Sequence, residues 1–360
     1  MGADVREGAL DPGRSFPARV LAAVAAKGGP VVVGLDPRPE LFPQDLLAWA
    51  RRQSEDPRQA AAAAVSAFNR LIIDAVHDVA VAVKPQLAFY ERLGWPGIRA
   101  LEETMAYARE RGLLIIADGK RHDIGSTAAA YARAYLGGGT GASAGDPGGA
   151  GGGRRDLPGA WLEELASGLE ADALTVSPYM GSDSLTPFLD ACRTQGKGVF
   201  VLVRTSNPSA GELQDLPVGA AAGNGHGGSP TSTLADRVAR LVTAWNEGMP
   251  AVHGYGPVGA VVGATGPAEL ARLRRRMPGV LLLVPGYGAQ GAGAREAAAA
   301  FGPDGRGALV NSAREILYAW HREHPDRPGT ADDFAAAARR AALRVRVELT
   351  EAIARHGTER

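Results

Sequence analysis

Eight short apolar runs are spread along the chain, and most of them end in polar residues or glycine. They occupy residues 31–35, 79–83, 113–117, 173–176, 198–203, 258–262, 280–284 and 308–310. Short runs that are apolar throughout are typical of strands buried on both faces of a parallel sheet. Segments with helical spacing of apolar residues lie between most of these runs. Eight alternations of strand and helix indicate a closed (β/α)₈ TIM barrel of the α/β class, with an open, doubly wound sheet as the alternative.

The chain is long enough for one such barrel with insertions. A (β/α)₈ barrel typically takes about 250 residues and tolerates additions to its loops, and this chain has 360. Two low-complexity segments, rich in glycine, are each followed by further strand and helix patterns. We therefore expect a single barrel domain over residues 1–360, with Gly-rich inserted loops at about 137–153 and 219–232.

Two further helices are expected outside the eight repeats. Residues 14–27 predict an N-terminal helix that closes the bottom of the barrel. Thr330 and Asp333 have the spacing of a helix capping box. The residues after them form one apolar stripe, which predicts a C-terminal helix packed on the outside of the barrel. Its members are Phe334, Ala338, Ala341, Val345, Leu349 and Ile353.

Charge and cysteine content exclude several classes of protein. Acidic and basic residues balance at 39 each, so nothing in the overall charge indicates a nucleic-acid or membrane partner. Cys192 is the only cysteine, which excludes a disulfide framework within one chain and a cysteine-based metal site. The sequence has no apolar run long enough for a membrane span, and its first residues lack the apolar core of a signal peptide. We expect a cytoplasmic protein.

The densest group of ionisable residues directly follows the third apolar run. Asp118 and Lys120 stand two apart at a strand end, so both can point into the mouth of the barrel, where sites of this fold lie. Asp123 falls where the next helix should begin, Thr127 lies one helical turn later on the same face, and Lys84 ends the second strand. Because such charges are costly to bury, the pattern favours a catalytic site. A helix cap at Asp123 and an ordinary ion pair are the structural alternatives.

The pattern Asp-x-Lys-x-x-Asp-Ile-x-x-Thr at residues 118–127 resembles the signature of orotidine 5′-phosphate decarboxylases, in particular their second, bacterial subgroup. Six further stretches agree with that family, and they occur along the chain in the same order as in the family. They are 34–37 (GLDP), 83–91 (VKPQLAFYE), 175–181 (TVSPYMG), 205–208 (TSNP), 284–291 (VPGYGAQG) and 310–314 (VNSAR). The match extends from about residue 31 to residue 316, interrupted by the Gly-rich segments.

The resemblance implies roles for the charged residues. Lys120 matches the group that protonates C6 of the pyrimidine, and Asp118 matches the carboxylate that faces the departing carboxylate of the substrate. Lys84 and Asp123 match the other members of an alternating Lys–Asp–Lys–Asp network. The residues that match Asp123 and Thr127 reach the site of the neighbouring subunit, which implies a homodimer.

The resemblance also implies a substrate and the residues that bind it. The family converts orotidine 5′-phosphate into uridine 5′-phosphate and CO₂ in pyrimidine biosynthesis, with no metal and no cofactor. Asp36 matches a ribose-hydroxyl contact and Ser177 a contact to the pyrimidine amide. Gln290 and Arg314 match the pair that grips the phosphate.

The implied reaction has a physical requirement that these residue types meet. Loss of CO₂ leaves an electron pair on C6, a vinyl carbanion with no attached electron sink, so fixed charges must stabilise it. A protonated Lys120 beside C6 does this and supplies the proton, and flanking carboxylates favour its charged form. A Gly-rich turn at 285–291 and Arg314 at the next strand end suit a phosphate, whose binding can organise the reacting end.

Two alternative functions remain open. The same Asp-x-Lys-x-x-Asp pattern occurs in Mg²⁺-dependent sugar-phosphate barrels, such as ketogulonate-phosphate decarboxylases and hexulose-phosphate synthases. The stretches 84–86 and 285–290 argue against these enzymes. The second alternative is a barrel that binds a nucleotide without turnover, and the intact charged network argues against it.

Overall fold

Eight parallel strands form a closed barrel in the order β1 to β8, and β8 pairs with β1. The computed structural model describes residues 11–137, 167–219, 232–288 and 291–358. The strands are β1 Val31–Leu35, β2 Ala82–Pro85, β3 Leu114–Arg121, β4 Ala173–Val176, β5 Gly198–Arg204, β6 Gly256–Val262, β7 Val280–Val284 and β8 Ala308–Ser312. The predicted (β/α)₈ barrel is therefore confirmed, and the open sheet is wrong.

Helices surround the barrel in the described parts of the chain. They are α1 Phe16–Lys27, α2 Gln44–Arg51, α3 Pro57–Val76, α4 Leu87–Glu91, α5 Trp95–Glu110, α6 Gly125–Leu136, α7 Ser182–Gln195, α8 Gly211–Gln214, α9 Leu234–Trp245, α10 Pro267–Arg276, α11 Ala294–Ala298, α12 Arg314–Leu317, α13 Ala319–Glu323 and α14 Ala331–Thr358. Short 3₁₀ helices occupy Pro12–Arg14, Pro39–Leu41 and Pro208–Ala210. None of these helices is long and apolar enough to cross a membrane.

Two layers of buried side chains explain why the strands are apolar throughout. One cluster fills the inside of the barrel and includes Val32, Ile116, Phe200, Leu283 and Leu309. A second, larger cluster packs the outer strand faces against the helices. Because alternate residues of each strand enter one layer or the other, both faces must be apolar.

The helix α1 closes the bottom of the barrel, as predicted. Its first residue, Phe16, packs edge-on against Phe200 inside the barrel, with the ring centroids 5.8 Å apart. A Cβ atom at Gly198, the first residue of β5, would overlap the ring of Phe16. A glycine at this position therefore lets the ring enter the barrel floor.

The C-terminal helix α14 is also confirmed. Thr330 N donates to Asp333 Oδ2 at 2.9 Å, and Asp333 N donates to Thr330 Oγ1 at 3.3 Å, which is the reciprocal pattern of a capping box. Phe334 then packs edge-on against Phe68 of α3, with centroids 6.2 Å apart. The apolar stripe of the helix thus joins the outer layer of the core.

Five strands differ from the predicted bounds, β5, β6 and β8 by one or two residues and β2 and β3 by more. The strand β2 begins at Ala82 rather than at residue 79 and runs to Pro85. The strand β3 continues past Ala117 to Arg121, through the charged residues that were expected to follow it. Residues 138–166 and 220–231, which contain most of the predicted Gly-rich loops, lie outside the described residues.

Candidate active site

A cavity of about 530 Å³ opens at the C-terminal ends of the strands. Sites of (β/α)₈ proteins lie at this end of the barrel. Its polar lining comprises Asp36, Lys84, Gln86, Asp118, Lys120, Thr175, Thr205, Ser206, Asn207, Gln214, Asn311 and Arg314. A larger groove of about 800 Å³, between α11 and α14 on the outside, contains none of the predicted site residues. The cavity in the barrel mouth is therefore the candidate active site.

An irregularity in β3 places Asp118 and Lys120 at the cavity. The register between β3 and β4 shifts between Ala117 and Arg121, so this part of β3 forms a bulge. Within it, the backbone of Lys120 has a φ of 47°, a conformation that costs a residue with a side chain about 1–3 kcal/mol. Lys120 N donates a hydrogen bond of 2.9 Å to Thr175 Oγ1, which supports this conformation.

The carboxylate of Asp118 is the centre of a charged cluster. Its Oδ2 accepts hydrogen bonds from Lys84 Nζ at 2.6 Å and from Gln86 Nε2 at 3.0 Å. Its Oδ1 accepts from Lys120 Nζ at 2.7 Å and from Thr175 Oγ1 at 2.9 Å. Four donors therefore fix the orientation of the carboxylate, and two of them are charged.

Burial and charge act in opposite directions within this cluster. Burial raises the pKa of Asp118, but the charges and hydrogen bonds of Lys84 and Lys120 outweigh it and hold that pKa well below its ordinary value. Burial likewise lowers the pKa of Lys84, and the charges of Asp118 and Asp36 more than reverse this, so the pKa is raised. The side chain of Lys84 is only 6% exposed, whereas that of Lys120 is 46% exposed. Lys120 is therefore the lysine that a bound molecule can reach.

Two acceptor atoms in the cavity lining lack a hydrogen-bond donor among the described residues. They are Asp36 Oδ1, after β1, and Asn311 Oδ1, in β8. Both atoms are buried, and burial raises the pKa of Asp36 although the charge of Lys84 opposes it. A buried acceptor without a donor is costly. These two oxygens are therefore suited to hydroxyl or N–H donors of a ligand.

The far side of the cavity is built from glycine backbone and an arginine. Gly286 and Gly288 follow β7 with φ values of 102° and 75°, which side chains rarely allow. Arg314 begins α12, is exposed and lines the cavity. Gln290, the other residue predicted to grip a phosphate, lies outside the described residues.

The structure does not bring Asp123 and Thr127 to the cavity of their own chain. Asp123 Oδ1 accepts from Ile124 N at 2.8 Å, at the start of α6, and Thr127 is exposed in the first turn of that helix. Neither residue lines the cavity. Within one subunit, Lys120 therefore contacts the carboxylate of Asp118 but not that of Asp123. Asp123 lies beyond the bulge, at the start of α6.

Ser177, which was predicted to bind the substrate, lies outside the cavity lining, whereas three residues without a predicted role lie within it. Ser177 follows β4, is partly exposed and is not part of the cavity lining. Thr175, Gln86 and Asn311 all lie in the lining, and the first two bond Asp118. Thr175 and Asn311 lie within their strands and Gln86 directly follows β2, so position at a strand end was the signal that could have identified them.

Fold and site together define a (β/α)₈ barrel protein with a partly buried lysine–aspartate–lysine cluster and a glycine–arginine region suited to a phosphate. The chain belongs to the orotidine 5′-phosphate decarboxylase / HUMPS family, whose model matches residues 29–144 and 159–323. The family predicted from the sequence motifs is therefore confirmed.

Relatives and solved structures agree with this assignment. The chain is 44% identical over 309 residues to the orotidine 5′-phosphate decarboxylase of Rhodopirellula baltica, covering 86% of this chain and 90% of the relative. It is 40% identical over 335 residues to that of Halorubrum lacusprofundi, covering 91% and 96%. The solved structure of Leishmania donovani OMP decarboxylase superposes with a TM-score of 0.63 at 31% identity, covering 94% of this chain and 99% of that one.

Proposed function

We propose that this chain decarboxylates orotidine 5′-phosphate to uridine 5′-phosphate and CO₂ in pyrimidine biosynthesis, with no metal and no cofactor. Family membership and the relatives that carry this name support the substrate and the reaction. The observation that carries the proposal is the carboxylate of Asp118, which bonds a lysine through each oxygen at the edge of the cavity. A cavity of about 530 Å³ is of a size that suits a nucleotide.

The proposed reaction exchanges a carboxylate for a proton at C6. The bond between C6 and the carboxylate breaks, its electron pair stays on C6, and CO₂ leaves. The ammonium of Lys120 stabilises that pair and then transfers a proton to it, after which the neutral amine regains a proton from water. Asp118, fixed by Lys84 on its other oxygen, faces the departing carboxylate and keeps Lys120 oriented.

The remaining groups bind the substrate. The free acceptor of Asp36 takes a hydroxyl of the ribose, and Ser177 contacts the amide edge of the pyrimidine. Gln290 and Arg314 hold the phosphate beside the backbone N–H groups that follow β7. Phosphate binding far from C6 supplies energy that positions the ring against Lys120.

The active assembly is proposed to be a homodimer in which Asp123 and Thr127 reach the neighbouring site. Three exposed large apolar side chains after the neighbouring strands β3 and β4 support an interface, since Ile124, Tyr179 and Met180 are 53%, 77% and 41% exposed. Covering such side chains is a usual role of a subunit interface. The pair Asp123 and Thr127 then completes the charged network from the partner.

We place this dimer in the cytoplasm and treat residues 1–360 as a single barrel domain in each subunit. A phosphorylated nucleotide substrate and a single, buried cysteine, Cys192, support that location. The same balance of 39 acidic and 39 basic residues argues against nucleic-acid or membrane partners.

The deciding experiment is a decarboxylation assay with orotidine 5′-phosphate after the enzyme has been treated with a metal chelator and desalted. We expect full turnover. No turnover of orotidine 5′-phosphate, together with Mg²⁺-dependent turnover of a sugar phosphate, would instead favour a metal-dependent sugar-phosphate barrel of the same family. Binding of uridine 5′-phosphate without any turnover would favour a non-catalytic nucleotide-binding barrel.

The shared site is tested by mixing two inactive chains, Lys120→Ala and Asp123→Asn. If Asp123 acts across the interface, one site of each mixed dimer receives an intact Lys120 and an intact Asp123. Activity should then return on mixing, after the subunits have been unfolded and refolded together. A mixture as inactive as its components would show that each site is built within one subunit.

A further inference from the structure

Arg121 directly follows Lys120 and is the residue at which β3 resumes its pairing with β4. It pairs with Val176, and its carbonyl oxygen accepts a hydrogen bond from Ser177 N at 3.1 Å. Its side chain is 21% exposed and does not line the cavity. Arg121 therefore lies beside the site without access to a bound substrate.

The guanidinium group of Arg121 connects three parts of the structure. One nitrogen donates to the carbonyl oxygen of Gly119 at 3.1 Å, inside the bulge. The second terminal nitrogen forms an ion pair with Glu91 at the end of α4 and donates to the hydroxyl of Tyr135 at 3.3 Å. The group also lies over the rings of Tyr131 and Tyr135 in α6, at 5.4 and 5.5 Å from their centroids. These contacts fix the guanidinium from several directions.

The bond to Gly119 has a particular consequence for Lys120. The carbonyl group of Gly119 and the N–H group of Lys120 belong to the same planar peptide unit. Arg121 holds the carbonyl end of this unit, and Thr175 Oγ1 accepts from its N–H end at 2.9 Å. Rotation of this unit sets the φ of Lys120, which is 47°. A residue other than glycine keeps a positive φ only where several contacts of the surrounding structure hold it there.

We infer that Arg121 is a positioning residue for the reaction, because it locks the peptide unit before Lys120 and so aims the ammonium at C6. This inference rests on the proposed role of Lys120 as the proton donor. The same guanidinium ties the bulge to α6, the helix that carries Thr127 and follows Asp123. The side chain of Arg121 thus connects Lys120 of one site to α6, the helix proposed to serve the site of the neighbouring subunit.

The test compares Arg121→Met and Arg121→Lys with wild type for kcat, for the dissociation constant of uridine 5′-phosphate and for melting temperature. A misplacement of Lys120 by about 1 Å would lower kcat by about 10²-fold, while product affinity should change less than about threefold because Arg121 lies outside the cavity. In Arg121→Lys, one ammonium cannot reach both Gly119 and Glu91, so we expect a loss of about tenfold or more.

A matched control is Arg340→Met, which removes an arginine–glutamate pair with Glu323 on the outer surface. It should leave kcat at the wild-type value. A lower melting temperature with unchanged kcat in the Arg121 variants would overturn the inference, since that is the result for a purely structural arginine. If Arg121→Met does not fold, a wild-type kcat in Arg121→Lys overturns it equally. Absence of decarboxylation by the wild-type enzyme would contradict the proposed function instead.

Discussion

The two ends of the cavity differ in the burial and the hydrogen bonding of their charged side chains. At the β2–β3 end, Lys84 is almost fully buried and both oxygens of Asp118 are occupied by donors of the protein itself. At the β7–β8 end, Gly286 offers backbone groups in a left-handed conformation and Arg314 is exposed. At the first end the charged groups are held by hydrogen bonds and ion pairs within the protein, whereas at the second end an exposed arginine lies beside glycine backbone.

This difference corresponds to the two tasks of the proposed reaction. Charges that stabilise a short-lived carbanion are effective only if they need not reorganise during the reaction. Groups that bind a distant phosphate can meet their partner on binding and pass the binding energy to the reacting end. Substitutions at the β2–β3 end should therefore change rate or stability, and substitutions at the β7–β8 end should mainly change affinity.

The largest effect is expected for Lys120→Ala. It removes both the charge beside C6 and the proton donor, so kcat should fall by about 10⁴-fold. The affinity for uridine 5′-phosphate should remain within a few-fold, because the groups that bind ribose and phosphate are intact. Steady-state kinetics and product titration measure the two quantities. Equal losses in rate and affinity would remove the distinction between the two ends.

Asp118→Asn tests how much the buried end contributes to stability. The substitution leaves the ammonium of Lys84 buried without its strongest partner, so the free energy of unfolding should fall by about 3–5 kcal/mol. Urea unfolding measures it. Arg340→Gln, at an outer ion pair with Glu323, is the control and should cost less than about 1 kcal/mol. Similar losses in both variants would mean that burial of the cluster has no special energetic role.

Arg314→Ala should mainly weaken substrate binding. Loss of a charge-assisted hydrogen bond to phosphate corresponds to about 1.5–3 kcal/mol, or roughly 10- to 100-fold in kcat/KM. Most of this loss should disappear when the substrate is orotidine, which lacks the phosphate. A loss of equal size for both substrates would show that Arg314 acts elsewhere than on the phosphate.

The smallest effect is expected for Asp36→Asn, and it should depend on pH. Burial raises the pKa of Asp36 in the folded protein, so folding favours the protonated carboxyl and the charged form lowers stability. At neutral pH the free energy of unfolding of the variant should therefore be about 1–2 kcal/mol larger than that of the wild type. The gain should vanish as the pH falls below about 4, because wild-type Asp36 is then protonated in both states.

The matched control for this variant is Asp326→Asn, at an exposed position. It should show no stability gain at any pH. The Asp36 variant should also bind its substrate less tightly, because the amide replaces the acceptor proposed to take the ribose hydroxyl. A pH-independent gain in stability would contradict the assignment of the effect to the buried charge.

The barrel could be predicted from the sequence because a strand buried on both faces must be apolar throughout. The runs at 280–284 and 173–176 became strands with unchanged bounds. The ends of β2 and β3 could not be predicted in this way, since their last residues turn polar to line the cavity. Lys84 and Asp118 were predicted as site residues, but not as parts of strands.

The charged cluster was predictable in its members but not in its geometry. Spacing alone placed Asp118 and Lys120 on one side of a regular strand, and it gave no sign of the bulge or of the φ of 47° at Lys120. Thr175 and Gln86 were missed because neutral donors at strand ends have no distinctive spacing. Spacing alone did not place Asp123 relative to the cavity of its own chain, since that depends on where α6 begins; only the family resemblance implied that it serves the neighbouring subunit.

The pairing of β8 with β1 has a consequence for the synthesis of this protein. Val31 and Val33 lie opposite Val310 and Ser312, so the two strands that flank the seam come from opposite ends of the sequence. Asp36 follows one of these strands and Arg314 follows the other. A nascent chain that has not yet emerged beyond residue 314 therefore lacks the pairing of β1 with β8 and the cavity residues that β8 and α12 contribute. The barrel can therefore close, and the pocket can form, only after nearly the whole chain has been synthesised.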